Sequence, residues 1–341
     1  MKVAVVGVTG VVGETILNVL DERDIAVDEL GAFASRERRE PLLWRGRTWP
    51  IRTATAEALR GGGFDAVFFA SSEDASAQLA EHAVAGGAVV IDNSATFRLA
   101  DGVPLIVPEV NADAVSDEHR IFPVANCTAI VLCVGIAPIA RAAGLRSVRV
   151  ATYQAVSGAG RAGLDALAAE EKAAFGLDEN LESSPFVRQI FRNVIPQVGA
   201  IDEFGDSGEE KKVAAETRKV LGLPNLHVAV TAVRVPVRYA HSEAVFIETE
   251  RDTDPLELGD AIAAAPGVVF HPDGNVTPRD VEGQNLVHVS RLRAEQGPSK
   301  RHFQLWVVGD QLRKGAATNA VQIFELLAER GLIGKPKLHA L

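Results

Sequence analysis

The N-terminal part of the chain takes its fold from one segment, Lys2-Val3-Ala4-Val5-Val6-Gly7-Val8-Thr9-Gly10-Val11-Val12-Gly13. Its first five residues form an apolar run typical of a buried parallel strand, and Glu14–Leu20 then predicts a helix. A glycine turn in this position lets the backbone approach a pyrophosphate, which binds at the helix N-terminus. The spacing is G-x-x-G-x-x-G instead of the commoner G-x-G-x-x-G, so a plain strand-to-helix turn remains the alternative.

A second predicted strand, Leu30–Ala34, ends at a cluster of basic residues. An NAD site often has a carboxylate here to hold the ribose 2′-hydroxyl, whereas a hydroxyl and arginines suit a 2′-phosphate. Ser35, Arg36 and Arg38 therefore predict NADP as the cofactor, with a solvated basic loop as the alternative. The turn residues expected to contact the dinucleotide are Gly7, Thr9, Gly10, Val11, Val12 and Gly13.

Further apolar strands at Asp65–Ala70 and Ala88–Asp92 flank a helical segment from about Ala75 to Ala85. This alternation predicts a doubly wound parallel sheet. Ligands of such sheets bind at the carboxyl ends of the strands. We therefore expect Ser71 to contact the cofactor and the loop that reaches Arg98 to border the site.

The composition limits the class of protein. A chain of 341 residues has room for about two domains. Its net charge of −10 argues against nucleic acid as a partner, and its two cysteines give no disulfide framework. No apolar run approaches the roughly 18 residues that span a bilayer. We therefore expect a cytoplasmic protein with no membrane partner. We also expect no metal site, because the histidines lack metal-ligand spacing with the cysteines.

Cys127 opens an apolar helical stretch that Asn126 is suited to cap. The N–H groups of a first helical turn, together with the helix dipole, favour the thiolate that attacks electrophiles. The alternative is a small hydrophobic residue packed in the core, which is our interpretation of Cys133.

Five segments, taken together, closely resemble the aspartate-β-semialdehyde dehydrogenases. They are the glycine turn, Asn126-Cys127-Thr128, Gln154–Gly160, Arg234–His241 and Arg313–Gln322, and they span nearly the whole chain. The resemblance implies NADP(H)-dependent interconversion of β-aspartyl phosphate and aspartate β-semialdehyde through a cysteine thioester. This reaction belongs to the biosynthesis of lysine, threonine and methionine.

The resemblance also implies roles for individual residues. Cys127 matches the acyl-accepting nucleophile, His241 the acid/base, and Gln154 the glutamine that orients the reacting carbonyl. Arg234 resembles the arginine that clamps the substrate carboxylate, and Arg98 the phosphate-binding arginine.

A second group of residues is implied in binding roles. Asn126, Glu209 and Lys212 resemble residues that line the substrate site, although the stretch around Glu209 is also compatible with a solvated helix face. The remaining cofactor-binding positions implied by the resemblance are Ser157, Gly158, Asn319 and Gln322.

The expected fold class is α/β. A Rossmann-like NADP-binding domain comprises residues 1–126 plus the C-terminal helix 313–341. A second α+β domain, residues 127–312, carries catalysis and dimerisation on a mixed sheet. The resemblance implies a homodimer with this sheet at the interface, and a small-molecule substrate.

Two other functions remain as alternatives. N-acetyl-γ-glutamyl-phosphate reductases share the chemistry on a substrate one methylene longer, but typically have Gly-Cys-Tyr at the nucleophile. A catalytically silent relative that only binds nucleotide is disfavoured by the joint presence of Cys127, Gln154, Arg234 and His241.

Overall fold

The computed structural model describes residues 1–177 and 184–333. Most elements before Asn126 are short strands that alternate with helices. In chain order they are β1 (Lys2–Val6), α1 (Val11–Glu22), β2 (Glu29–Ala34), β3 (Leu42–Trp44), β4 (Arg47–Trp49), β5 (Ile51–Thr53), α2 (Ala56–Gly61), β6 (Ala66–Phe69), α3 (Glu73–Ala85), β7 (Val89–Asp92), α4 (Pro108–Asn111) and β8 (Ile121–Pro123).

The strands after Asn126 are longer. The elements are α5 (Cys127–Ala143), β9 (Ser147–Gln154), α6 (Gly160–Ala174), α7 (Gly208–Leu221), β10 (His227–Arg234), β11 (His241–Glu248), α8 (Pro255–Ala263), β12 (Val268–His271), α9 (Pro278–Val281), β13 (Val287–Ala294), β14 (His302–Gly309) and α10 (Thr318–Glu329). A π-helical turn, Arg313–Ala317, precedes α10.

Contacts divide the chain into two compact units. Of the described residues, the first comprises 1–125 and 316–333. Its main sheet has the strand order β5-β2-β1-β6-β7-β8, and every pairing is parallel. Helix α10 packs on this sheet, with the Phe324 ring centroid 5.7 Å from that of Phe68.

The second unit, Asn126–Gly315, is built on a six-stranded mixed sheet of order β10-β9-β11-β14-β13-β12. The two outer pairs, β10 with β9 and β13 with β12, are parallel, and the three inner pairs are antiparallel. Helix α5 is apolar and almost entirely buried, and it packs against α7, α8 and the sheet.

The predicted fold class is confirmed: a parallel-sheet N-terminal unit is joined to a second unit on a mixed sheet. The predicted domain limits differ slightly from those of the compact units. The first domain was predicted to end at residue 126 and ends at 125, and its C-terminal segment was predicted to begin at 313 and begins at 316. Residues 334–341 of the predicted C-terminal segment lie outside the described residues. Among the described residues, none of the helices is long and apolar enough to cross a membrane.

Candidate active site

Cys127 is the first residue of α5, and Asn126 caps this helix as predicted. The Asn126 Oδ1 accepts hydrogen bonds from the backbone N–H groups of Thr128 at 2.9 Å and Ala129 at 3.2 Å. The cap orients the first turn, so the half-buried Cys127 side chain lies where the helix dipole favours negative charge.

His241 lies beside the nucleophile. Its Nε2 is 3.6 Å from Cys127 Sγ, and its Nδ1 accepts the Ala155 backbone N–H at 3.1 Å. Burial, and then the charge of Arg234, hold the pKa of this fully buried histidine well below its ordinary 6.5. The ring is therefore neutral at neutral pH. Because Nδ1 accepts a hydrogen bond, its single proton is on Nε2 and faces the sulfur.

Both ends of the buried Gln154 amide are fixed by hydrogen bonds. Its Oε1 accepts from Thr152 Oγ1 at 3.2 Å, and its Nε2 donates to Thr128 Oγ1 at 3.0 Å and to Glu209 Oε1 at 2.9 Å. The amide therefore has one defined orientation, which a group that positions a carbonyl requires.

The Glu209 carboxylate, on the first turn of α7, connects several of these residues. It accepts Asn126 Nδ2 at 3.0 and 3.1 Å, as well as the Gln154 amide. Lys212 follows three residues later on the same helix, so the two side chains share a helix face. Glu209 thus belongs to the hydrogen-bond network around the nucleophile.

Arg234 ends β10 and is 7% exposed. Its Nη1 donates to the Ala155 carbonyl at 2.6 Å. Burial lowers the pKa of the guanidinium, an effect that the neighbouring Cys127 and Glu209 oppose. A Cβ at Gly158 would lie 2.8 Å from Arg234 Nη1 and 3.3 Å from His241 Cε1, so only glycine lets the chain pass this close to both the guanidinium and the imidazole.

The glycine turn of the first unit forms a cradle suited to a pyrophosphate. Gly7 has φ +89°, and a Cβ there would lie 2.1 Å from the Ala70 carbonyl oxygen. A Cβ at Gly13, in the first turn of α1, would lie 2.3 Å from the Gly7 oxygen. Ser71, next to this turn, has a buried hydroxyl with no hydrogen-bond partner among the described residues. These features fit a dinucleotide at the N-terminus of α1.

A cavity of about 450 Å³ lies at the carboxyl end of β2, beside the glycine turn. It is lined by Thr9, Arg38, Arg39 and Glu40 and by four apolar residues that include Leu43. Ser35 and Arg36 are exposed in the adjoining loop and do not line this cavity. Arg39 is a lining residue that the sequence interpretation did not single out.

The other predicted binding residues of the first unit donate hydrogen bonds to other residues of the chain. Arg98 Nε donates to the Val124 carbonyl at 2.8 Å, and its Nη2 donates to Asn93. The fully buried Asn319 donates to the Ile106 carbonyl at 3.0 Å. Gln322 donates to Glu109 Oε1 at 2.8 Å.

The chain is similar to known proteins over nearly its whole length. Residues 2–118 match the model of the semialdehyde dehydrogenase NAD binding domain, and residues 136–314 match the semialdehyde dehydrogenase dimerisation domain. The chain is 40% identical over 339 residues to the aspartate-semialdehyde dehydrogenase of Aquifex aeolicus, covering 97% of this chain and 99% of that protein.

Solved structures agree with the sequence comparison. A crystal structure of aspartate semialdehyde dehydrogenase II from Vibrio cholerae matches with a TM-score of 0.91 and 38% identity, covering 96% of this chain and 98% of that one. A second structure of that enzyme, complexed with ASA, matches equally well. The chain belongs to the aspartate-semialdehyde dehydrogenase family. This confirms three predictions: the family, the oxidoreductase class and the use of a nicotinamide cofactor.

In this member of the aspartate-semialdehyde dehydrogenase family, the second unit brings together the three predicted catalytic residues, Cys127, His241 and Gln154. The predicted substrate-binding residues Arg234, Asn126 and Glu209 lie beside them, together with Gly158. The Ser157 hydroxyl donates to the Arg238 carbonyl at 2.5 Å. Among the described residues there is no group of three or more metal-ligating side chains.

Sequence reasoning missed several residues that hold the predicted ones. Thr128 and Thr152 fix the Gln154 amide, and Glu216 accepts the Asn126 backbone N–H at 2.5 Å. Thr152 could have been found, because residues two apart on a strand share a face. Glu216 and the fully buried Gln311 gave no comparable local signal.

Proposed function

We propose that this protein interconverts β-aspartyl phosphate and aspartate β-semialdehyde through a thioester on Cys127, with NADP(H) as its cofactor. Family membership supports the substrate. The observation that carries the chemistry is the Cys127 Sγ, 3.6 Å from His241 Nε2 at the N-terminus of a capped helix. An acyl phosphate is an activated electrophile, and a thiolate in this position can displace phosphate from it.

In the reductive direction the Cys127 thiolate attacks the acyl carbon. The new C–S bond replaces the C–O bond to phosphate, which leaves with the bonding electrons. A nicotinamide cofactor held at the glycine turn would supply the hydride that reduces the thioester. The resulting adduct then breaks its C–S bond, releasing the aldehyde and returning the electron pair to Cys127.

His241 acts on these steps as a hydrogen-bond donor. With its proton on Nε2, the neutral ring stabilises the thiolate before attack and again when the adduct releases it. In the acid/base role predicted from the sequence, His241 would take the thiol proton and later protonate the tetrahedral adduct. In the observed arrangement the lone pair at Nδ1 already accepts the Ala155 N–H, so that role would first require the ring to change its tautomer.

The charged side chains around Cys127 suit the substrate. The Arg234 fork matches a carboxylate, and the negative charge of Glu209 suits an ammonium group. Gln154 is the residue proposed to position the reacting carbonyl. Both Nε2 hydrogens donate to Thr128 and Glu209, so the substrate carbonyl would replace one of these two acceptors. Arg98 and Lys212 remain predicted anion-binding residues for the phosphate and substrate.

NADP is proposed over NAD because of the two arginines that line the cavity at the carboxyl end of β2. Arg38 and Arg39 line it together with Thr9 of the glycine turn and Glu40, so the two guanidinium groups outnumber the one carboxylate. Guanidinium groups there suit a ribose 2′-phosphate. If so, Arg38→Ala combined with Arg39→Ala should raise the KM for NADP at least about tenfold and leave the KM for NAD unchanged. Arg36→Ala, outside the cavity, is the matched control, and an equal loss with both cofactors would refute the assignment.

A homodimer is part of the proposal. The family model of the second unit is named as a dimerisation domain, and one face of the β9–β11 region presents the half-exposed rings of Tyr153 and Phe246. Light scattering during size-exclusion chromatography should give twice the chain mass of 36.2 kDa, and a monomer would refute this. The cytoplasmic location stays a prediction.

The deciding assay follows NADPH formation from aspartate semialdehyde, NADP and phosphate. Cys127→Ala should abolish turnover. Cys133→Ala is the matched control, because Cys133 is fully buried and burial raises the pKa of its thiol. Full activity of the Cys127→Ala protein would refute the mechanism. A preference for N-acetylglutamate semialdehyde would instead favour the related reductase.

A further inference from the structure

Gln311 follows β14, is 2% exposed and uses both ends of its amide inside the second unit. Its Oε1 accepts the Ala240 backbone N–H at 2.8 Å, and its Nε2 donates to Ser157 Oγ. Ala240 immediately precedes His241, and Ser157 immediately precedes Gly158. One side chain therefore connects the two segments that place the imidazole and the glycine packed against it.

The backbone of Ala240 needs such support. Its φ is +67°, in the left-handed region that a residue with a Cβ disfavours. A conformation of this kind persists where surrounding contacts hold it, and such residues cluster at functional sites. Because β11 begins at the next residue, the backbone of Ala240 sets where His241 starts and where its ring points.

We propose that Gln311 is a positioning residue, whose amide holds Ala240 and Ser157 and thereby keeps His241 Nε2 within reach of Cys127 Sγ. The proposal rests on the functions proposed above for Cys127 and His241. Gln311 acts on the sulfur only through the histidine, and this makes its contribution separable from a general effect on folding.

The test measures the rate at which iodoacetamide alkylates Cys127 as a function of pH, in the absence of substrate and cofactor. The proteins are wild type, Gln311→Leu, His241→Ala and the double variant. Removing the Nε2 donor should raise the pH midpoint of alkylation by about one unit, which slows the reaction about tenfold near neutral pH. Gln311→Leu should shift the profile in the same direction.

The double variant is decisive. If Gln311 acts through His241, Gln311→Leu adds less than about twofold once His241 is alanine. The positioning function would be overturned if the fold-changes in alkylation rate of the two single variants multiply in the double variant. It would also be overturned if Gln311→Leu alone has the wild-type profile. An unchanged profile for His241→Ala would overturn the function proposed for His241 itself, and the present proposal with it.

Two further variants control for folding. Gln304→Leu changes a glutamine on β14 whose side chain contacts Arg293 and Glu295, and it should leave the profile unchanged. Gln311→Glu keeps the size of the side chain and the acceptor for the Ala240 N–H but loses the N–H donor to Ser157, so its alkylation rate should lie between those of wild type and Gln311→Leu. If Gln311→Leu does not fold, Gln311→Ala enters the same comparison with Gln311→Glu. If the Gln311→Glu protein is as impaired as Gln311→Leu or Gln311→Ala, the hydrogen bond to the Ala240 N–H does not position His241, and the proposal is overturned.

Discussion

Glu243 is a buried acid in the second unit, and we predict that Glu243→Gln increasingly stabilises the protein as the pH rises. The residue lies on β11, two positions after His241, and is 0% exposed. Neither of its carboxyl oxygens has a hydrogen-bond partner among the described residues. Burial alone raises the pKa of this group well above its ordinary 4.5. The folded protein therefore keeps Glu243 neutral at pH values where the unfolded chain ionises it.

The sign and size of the effect follow from proton linkage. A folded-state pKa above the unfolded value gives a contribution that is fully present below the unfolded pKa. It is lost as the pH rises toward the folded pKa. Each pH unit inside that window lowers the free energy of unfolding by about 1.4 kcal/mol. Glutamine has the same shape and does not ionise, so the Glu243→Gln protein escapes this loss.

The measurement is urea unfolding at about pH 5.5 and about pH 6.5, followed by tryptophan fluorescence, with Trp306 as the reporter in the second unit. The free energy of unfolding of the variant relative to wild type should increase between these pH values, by up to about 1.4 kcal/mol. Glu282→Gln, which changes an exposed carboxyl, is the matched control and should show a constant difference. A difference that does not change with pH for Glu243→Gln would refute a neutral Glu243.

Three further outcomes are expected. Gly158→Ala should lower kcat/KM about 10²-fold, because its Cβ would lie 2.8 Å from Arg234 Nη1. A Tm close to that of wild type would show that the loss arises in the site and not from unfolding. Thr152→Val removes the donor to Gln154 Oε1 and should lower kcat/KM about tenfold, whereas Thr152→Ser should retain activity. Asn126→Ala should lower the free energy of unfolding by about 1 kcal/mol through loss of the helix cap; an unchanged unfolding curve would contradict this.

Features set by neighbouring residues could be predicted from the sequence. The strand, turn and helix of Lys2–Gly13 follow from an apolar run and glycines whose spacing needs no tertiary information. Asn126 was predicted as a cap because capping is a contact between residues two or three apart. Residues brought together from a distance, such as Cys127 and His241, came from the family resemblance and not from any local pattern.

The supporting hydrogen bonds could not be predicted in this way. Gln311 reaches Ala240 across 71 positions of the chain and Ser157 across 154, so nothing near Gln311 indicates its partners. Glu243 had no signal either, since a single glutamate in a strand is ordinarily placed on a solvated face. Its burial depends on how α5 and the sheet pack together.

The backbone of Ala155 explains why the catalytic groups share one geometry. Its N–H donates to His241 Nδ1 and thereby fixes which ring nitrogen faces the sulfur, while its carbonyl accepts Arg234 Nη1. The preceding residue in the chain is Gln154, at the end of β9. One strand end therefore orients an imidazole, a guanidinium and an amide together. A shift of this strand end would move all three groups relative to Cys127, so side chains that hold it, such as Thr152, affect catalysis without touching the substrate.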